Sequence, residues 1–270
     1  MSRIGFLGAG NMASALAAGF IKAGLAQPAE LYLYDVIEEK SQKLSESLRA
    51  KAATSVRQVM QNCEVIVLAV KPQNAPELLP DVAPWAGPKH LFVSILAGVP
   101  TSSLEAQIGG QPRVIRVMPN TPSLVGLGAS GVAPGQFATP EDMDLSLALF
   151  RSVGIAVAVE ESQINAVTAI SGSGPAYFFY LIEALVDAAT DLGLATETAK
   201  ALVLQTALGA GKLAVESPDA PAILRAKVTS KGGTTEAGLN QLMERGFAES
   251  VKACAAAAAQ RAEELARIAH

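Results

Sequence analysis

Apolar and polar positions divide the chain into two parts with different rhythms. In the first part, short apolar runs at 3–7, 31–34, 65–70, 91–96, 114–118 and 156–159 each stop at glycine, proline or a charge. Continuous apolar runs of this kind read as strands covered on both faces, the mark of a parallel sheet. Helical stretches separate them. One runs from Asn11 to near Lys22 with Gly24 as its cap, and a charged, solvated one covers 40–51. Ser102-Ser103-Leu104-Glu105 has the spacing of a capping box. Thr139-Pro140-Glu141-Asp142 has cap, first-turn proline and first-turn acids. After Glu160 and Glu161 the rhythm becomes helical throughout, over 164–170, 177–192, 198–215 and from Thr235 to near His270. The expected architecture is α/β: a Rossmann-type, doubly wound sheet over 1–161, followed by an all-helical domain over 162–270. Ser171-Gly172-Ser173-Gly174-Pro175-Ala176-Tyr177 is expected to break one helix and start the next.

The first turn carries the sharpest chemical signal. Gly8-Ala9-Gly10-Asn11-Met12-Ala13 follows the first strand at once and opens the first helix, in the pattern G-x-G-x-x-A. Gly8 allows the tight turn, Gly10 lets a pyrophosphate approach bare backbone, and Ala13 lets the helix pack close on the sheet. The helix N-terminus adds free N–H groups and a positive dipole end. An ordinary βα turn needs none of this, so the reading is a dinucleotide site.

Other ligand-side strand ends fit that reading. Asp35, after the second strand, stands where a carboxylate takes both hydroxyls of an adenosine ribose. Capping the helix before Glu38 is an equal and compatible reading. A carboxylate here opposes a 2′-phosphate, which leans the choice between NAD and NADP toward NAD. Ala69-Val70-Lys71-Pro72 ends the third apolar run, and Lys71 suits a phosphate or nicotinamide-side contact, or plain surface charge. Ile95-Leu96-Ala97-Gly98 ends the fourth, where small residues let a nicotinamide slide against backbone. Pro119-Asn120-Thr121-Pro122 forms a rigid loop on the same side.

Composition narrows the partners. A net charge of −4 with no basic block and few aromatics argues against nucleic acid. Cys63 and Cys254 are isolated, which suggests a reducing compartment, no disulfide framework and no cysteine-based metal site. Half of the chain is hydrophobic, yet no stretch of about 18 residues is free of charges, polar groups and glycines as a spanning helix requires. A first strand at residue 3 leaves no room for a signal peptide, so the expected location is cytoplasmic. His90 and His270 are the only histidines, which excludes most dehydrogenases with a histidine acid. The helical part, in stretches such as 199–208 and 251–265, has more apolar faces than it can bury alone, and this predicts self-association.

A second candidate site is Lys227-Val228-Thr229-Ser230-Lys231-Gly232-Gly233-Thr234-Thr235-Glu236-Ala237-Gly238. Hydroxyls and two glycines precede an amphipathic helix with Thr234 or Thr235 near its cap, a turn that suits a carboxylate or merely caps a helix.

Taken in order, Gly8 to Met12, Ala69 to Pro72, Met118 to Pro122, Gly172 to Tyr177 and Thr229 to Thr235 resemble the pyrroline-5-carboxylate reductase family over essentially the whole chain. The resemblance implies NAD(P)H-dependent reduction of the imine 1-pyrroline-5-carboxylate to L-proline, the last step of proline biosynthesis. It implies helical domains interlocked in a dimer and an active site drawn from both chains. Gly8, Ala9, Gly10, Asn11, Met12, Asp35, Ala69, Val70, Lys71, Pro72, Ile95, Leu96 and Ala97 would hold the cofactor. Ser230, Gly232, Gly233, Thr234 and Glu161 would hold the substrate, with Thr235 near the ring nitrogen; Glu161 matches a glutamate near the ligands in relatives. Two positions depart from the pattern: Asp35 replaces the small hydroxyl residue of NADP-preferring relatives, and Val56 a ribose-contacting asparagine.

The missing histidines fit an imine substrate, which can arrive as an iminium and needs alignment more than a strong acid. A hydroxy-acid dehydrogenase would carry a lysine near Gly172-Ser173-Gly174, where Tyr177 and Phe178 stand. A catalytically silent nucleotide sensor would not need the 230–235 loop.

Overall fold

The computed structural model describes residues 2–268, so the expected helix end near His270 lies outside the described residues. The chain forms two compact units. One holds the chain up to Ser173 together with the segment from Ala257 onward, and the other is Gly174–Ala256.

The first unit is built on eight strands: β1 (Ile4–Leu7), β2 (Leu31–Tyr34), β3 (Lys51–Ala52), β4 (Val65–Leu68), β5 (Leu91–Ser94), β6 (Arg113–Met118), β7 (Gly128–Pro134) and β8 (Gly154–Ala158). Their order is β3-β2-β1-β4-β5-β6-β7-β8. The first six are parallel, β7 runs antiparallel to β6, and β8 runs parallel to β7. Helices α1 (Asn11–Lys22), α2 (Glu38–Leu48), α3 (Val56–Asn62), α4 (Ala75–Val82), α5 (Thr101–Ile108) and α6 (Pro140–Arg151) connect them.

Both faces of the sheet are covered, which explains the unbroken apolar runs. On one face Phe6, Leu33, Val67, Val93 and Ile115 join Phe20 and Phe150 from α1 and α6. The other face packs Leu7, Ile66, Phe92 and Val114 against Val59, Leu79 and Leu104 from α3, α4 and α5. The 65–70 and 91–96 runs are strands only to Leu68 and Ser94, so their last residues project beyond the sheet edge as loops.

Several local expectations need correction. The charged helix is α2, shifted to Glu38–Leu48. Arg49 turns left-handed after it (φ 56°), and Lys51 joins β3. The capping box at Ser102 does not form: α5 begins at Thr101 behind Pro100, which has no side-chain acceptor. Glu105 accepts instead from the Gln136 N–H at 2.7 Å. The box at Thr139 and Asp142 does form.

Beyond β8, a 3₁₀ turn and α7 (Ile164–Val167) lead into a π-helical turn, Thr168–Gly172. The expected break at Ser171–Tyr177 is therefore a bend within one helical run. That run, Glu161–Asp191, is long and apolar enough by length and composition alone to cross a membrane, and it contains Ser171, Gly172, Ser173, Gly174 and Glu183.

The second unit contains α8 (Gly174–Asp191), α9 (Thr196–Glu216), α10 (Pro221–Lys227), α11 (Thr234–Glu244) and the start of α12 (Phe247–Ile268). Helix α10 was not expected, and the single helix foreseen from Thr235 is two, parted at Gly246 (φ 69°). Only Gly174 and Ala199 are buried among the residues of this unit.

Candidate active site

Gly8 takes φ 110°, a conformation open to glycine and strained for other residues. A Cβ on it would stand 2.5 Å from Ala69 O and 2.8 Å from Val70 N, so the loop after β1 lies directly on the loop after β4. The Gly8 N–H donates to Tyr34 O at 2.8 Å. The Ala9 N–H donates to Asp35 Oδ2 at 2.8 Å. Three segments far apart in sequence thus meet where the strand order reverses, between β1 and β4, the crevice in which doubly wound sheets bind ligands.

The residues there fit a dinucleotide. Helix α1 starts behind Gly10 with no side-chain cap, which leaves the first-turn N–H groups of Asn11, Met12 and Ala13 as donors. A Cβ on Gly10 would meet nothing within 4 Å, so space lies open beside the bare backbone. Lys71 is exposed and leads into the 3₁₀ turn Pro72–Asn74. Asp35 also accepts from the Ile37 N–H at 2.9 Å. Since Ile37 itself occupies the cap of α2, the capping reading of Asp35 is overturned. Its carboxylate instead braces the glycine loop at the β2 end.

Ile95, Leu96 and Ala97 begin the neighbouring loop. The Ile95 N–H donates to Leu68 O at 3.1 Å, and Ser94 Oγ accepts from the Leu96 N–H at 3.3 Å. A Cβ on Gly98 would stand 3.2 Å from Leu265 Cβ, so the last turns of α12 close over this loop.

The loop ends at Thr101, where a knot unforeseen from sequence appears. Its N–H donates to Glu161 Oε1 at 2.7 Å and its hydroxyl to Glu161 Oε2. Arg116 Nη1, on β6, donates to the same Oε1 at 3.2 Å with its side chain 6% exposed. Burial pushes the Arg116 guanidinium down from its ordinary value, opposed by the Glu161 carboxylate. The signal in the sequence was Arg116 itself, a charge inside an apolar strand that must find a partner. Asn120 makes a second tie: its amide donates to Ser171 O at 3.0 Å and accepts from the Ala129 N–H at 2.8 Å. It thereby joins the Pro119–Pro122 loop to β7 and to the π-helical turn.

In the second unit, Ser230 to Gly233 form a tight turn, with the Gly233 N–H on Ser230 O at 3.0 Å. Gly232 takes φ 73°, and its N–H donates to Glu236 Oε2 at 2.7 Å. The cap of α11 is Gly233, not Thr234 or Thr235, and the first bond of the helix runs from Ala237 N to Gly233 O. The N–H groups of Thr234, Thr235 and Glu236 precede that bond and so have no partner within the helix, and both threonines are exposed. Among the described residues no group of three His, Cys, Asp or Glu side chains is placed to hold a metal ion.

A glycine loop at the switch point of a sheet whose first six strands follow the order 3-2-1-4-5-6 defines a dinucleotide-binding protein of Rossmann type. The family described as NADP oxidoreductase, coenzyme F420-dependent, matches residues 3–98, and pyrroline-5-carboxylate reductase dimerisation matches 161–265. The pyrroline-5-carboxylate reductase of Pseudomonas aeruginosa is 44% identical over 98% of this chain and 97% of its own. Two solved structures agree in fold. A pyrroline-5-carboxylate reductase from Coxiella burnetii has a TM-score of 0.90 at 37% identity, covering 98% of both chains. The Plasmodium falciparum pyrroline carboxylate reductase, solved with NADP bound, has a TM-score of 0.88 at 32% identity and the same coverage. The chain belongs to the pyrroline-5-carboxylate reductase family.

Proposed function

We propose that this chain reduces 1-pyrroline-5-carboxylate to L-proline, the closing step of proline biosynthesis, in the cytoplasm. Family membership supports the reaction, and the observation that carries the residue roles is the Ser230–Thr235 turn. Its free N–H groups at the start of α11 form an anion cradle of the size a ring carboxylate needs. Gly232 and Gly233 leave one wall bare, and Glu236 fixes the turn by holding the Gly232 N–H. Ser230 and Thr234 flank the carboxylate, and Thr235 brings its hydroxyl to the ring nitrogen.

A bound reduced nicotinamide supplies the hydride. Gly8, Ala9, Gly10, Asn11 and Met12 hold the diphosphate, and Ala69, Val70, Lys71 and Pro72 form the facing wall. Ile95, Leu96 and Ala97 line the nicotinamide end. As hydride reaches the ring carbon, the iminium nitrogen loses its positive charge and becomes a secondary amine. No strong acid is required when the substrate arrives protonated, so the chain's task is alignment and exclusion of water.

Asp35 makes NADH the preferred reductant. Its carboxylate stands at the ribose end of β2 and opposes a 2′-phosphate; no arginine follows it directly, and Lys40 is the nearest cation after it in the sequence. Self-association through the helical part, assigned to 162–270, covers its apolar faces and completes the site with residues of a second copy. The test is consumption of NADH or NADPH with pyrroline-5-carboxylate, with a 3-hydroxy acid plus oxidised cofactor as control. Turnover only with the hydroxy acid, or with neither, overturns the reading.

A further inference from the structure

The geometry points to Glu161 as a positioning residue of the reductase, one that sets the nicotinamide-side loop through Thr101 and acts on cofactor rather than substrate. The inference rests on the proposal that Ile95 to Ala97 line the nicotinamide. That loop leaves β5 at Ser94 and must re-enter regular structure at α5. Its far end is the first helical residue, Thr101, which is 3% exposed.

A helix start behind Pro100 has no local side chain to receive its N–H groups. A serine, threonine, aspartate or asparagine at position 100 would supply an acceptor at once. The chain instead brings one from sixty positions away, beyond the end of β8. That acceptor does more than cap. One carboxylate receives the Thr101 N–H, the Thr101 hydroxyl and the Arg116 guanidinium. The guanidinium is buried on β6 and keeps its charge, so its bond to Oε1 holds the carboxylate in place. The end of the loop is therefore registered against β6 of the sheet, not by a cap from its own helix. A shift at Thr101 passes directly to Ala97 and Gly98, whose other side is closed by Leu265. Hydride transfer is sensitive to such displacements, because its geometry must be near that of attack.

The decisive variant is Thr101→Val, which removes the hydroxyl but leaves the ion pair and the backbone bond intact. In the full-length enzyme it should raise the Kd for NADH, titrated alone by calorimetry, by about tenfold. It should lower kcat as well, while KM for pyrroline-5-carboxylate stays within about twofold, since only the cofactor side moves. Thr101→Ser should recover most of the loss. Glu161→Gln should act in the same direction and also lower Tm, because it leaves Arg116 buried without its counter-charge. A folded Thr101→Val enzyme with unchanged NADH affinity and kcat would make the knot a structural clasp only and overturn the inference. A change confined to KM for pyrroline-5-carboxylate would overturn it too, and return Glu161 to the substrate. Ala97→Leu separates the underlying reading from the clasp. If it alters neither NADH binding nor hydride transfer, the loop does not line the nicotinamide, whatever the Thr101 variants show.

Discussion

The two units treat their apolar side chains in opposite ways. In the first, Phe6, Phe20, Phe92 and Phe150 are fully buried. In the second, Phe178, Phe179, Tyr180, Leu202 and Leu208 stand more than half exposed. The first sequence therefore carries a complete core, and the second carries faces designed for something else to cover. A helix that is apolar on an uncovered face is stable only when that face is filled. The family match to a dimerisation domain over 161–265 supports the proposal that a second copy fills it.

One apolar substitution in each unit should separate the two most strongly. Phe20 packs edge-on to Phe150 with ring centroids 6.3 Å apart. Phe20→Ala should cost about 3–5 kcal/mol at any protein concentration. Leu208→Asp should leave the sheet's core intact and abolish self-association, read by sedimentation at micromolar concentration together with a concentration-dependent Tm. A stable, active monomer of the unaltered chain would refute the idea that the second unit needs a second copy.

Next in size is the chemistry. Thr235→Ala should lower kcat/KM for pyrroline-5-carboxylate by roughly 10- to 200-fold, the worth of one hydrogen bond to a charged partner, about 1.5–3 kcal/mol. NADH affinity should stay within a few-fold, and Thr235→Ser should retain much of the activity. Full activity in Thr235→Ala would shift the weight to Ser230 or the backbone. Such a split, substrate effects from the second unit and cofactor effects from the first, is the functional form of the comparison.

Asp35→Ser tests the first unit in the same terms. It should shift preference toward NADPH, whereas the unaltered enzyme should favour NADH by about tenfold, roughly 1.4 kcal/mol, in kcat/KM. A tenfold preference for NADPH in the unaltered chain would show Asp35 misread. Because the carboxylate also holds the Ala9 N–H at 2.8 Å, the serine variant should lose some affinity for both cofactors.

How far the sequence spoke also differs between the units, for physical reasons. The buried parallel strands announced themselves because two covered faces demand unbroken apolar runs. Strand β7 did not. Gly128-Ala129-Ser130-Gly131-Val132-Ala133-Pro134 has the composition of a turn, and it is a strand only because β6 and β8 pair with it. A Cβ on Gly131 would stand 2.8 Å from Val167 Cγ1, so packing from the later helix selects glycine against strand propensity. The cap of α5 was hidden for a similar reason: its acceptor is Glu161, not the nearby Glu105. In the helical unit periodicity gave helices, but not the break at Gly246 or the short α10, since neither end changes the apolar rhythm. The glycine turn after β1 was legible because it rests on local backbone chemistry, Gly8 taking φ 110° between a strand and a helix. The ties made by Arg116, Glu161 and Asn120 were not, because they join distant segments.

The smallest expected effect isolates the first unit's core from everything else. His90 is 2% exposed at the lip of β5. The Gly87 N–H can only donate, at 3.0 Å, so Nδ1 is the acceptor and the ring proton sits on Nε2, which donates to Met60 O at 2.8 Å. Protonation of Nδ1 would set two donors face to face. Burial holds the imidazole below its ordinary 6.5, helped by the charge of Lys89 and opposed by the Met60 bond and by Glu64. In the unfolded chain the ring takes up its proton first as pH falls. The neutral ring therefore contributes stability that is fully present above 6.5 and is lost as pH falls through the lower folded value. One proton limits the slope to about 1.4 kcal/mol per pH unit. Thermal unfolding below pH 6.5 should show this loss in the unaltered chain. His90→Gln should be less stable at neutral pH, yet lack that acid slope. An identical slope in the variant would assign it to the carboxylates instead, and His90 would count only for its packing against Phe92.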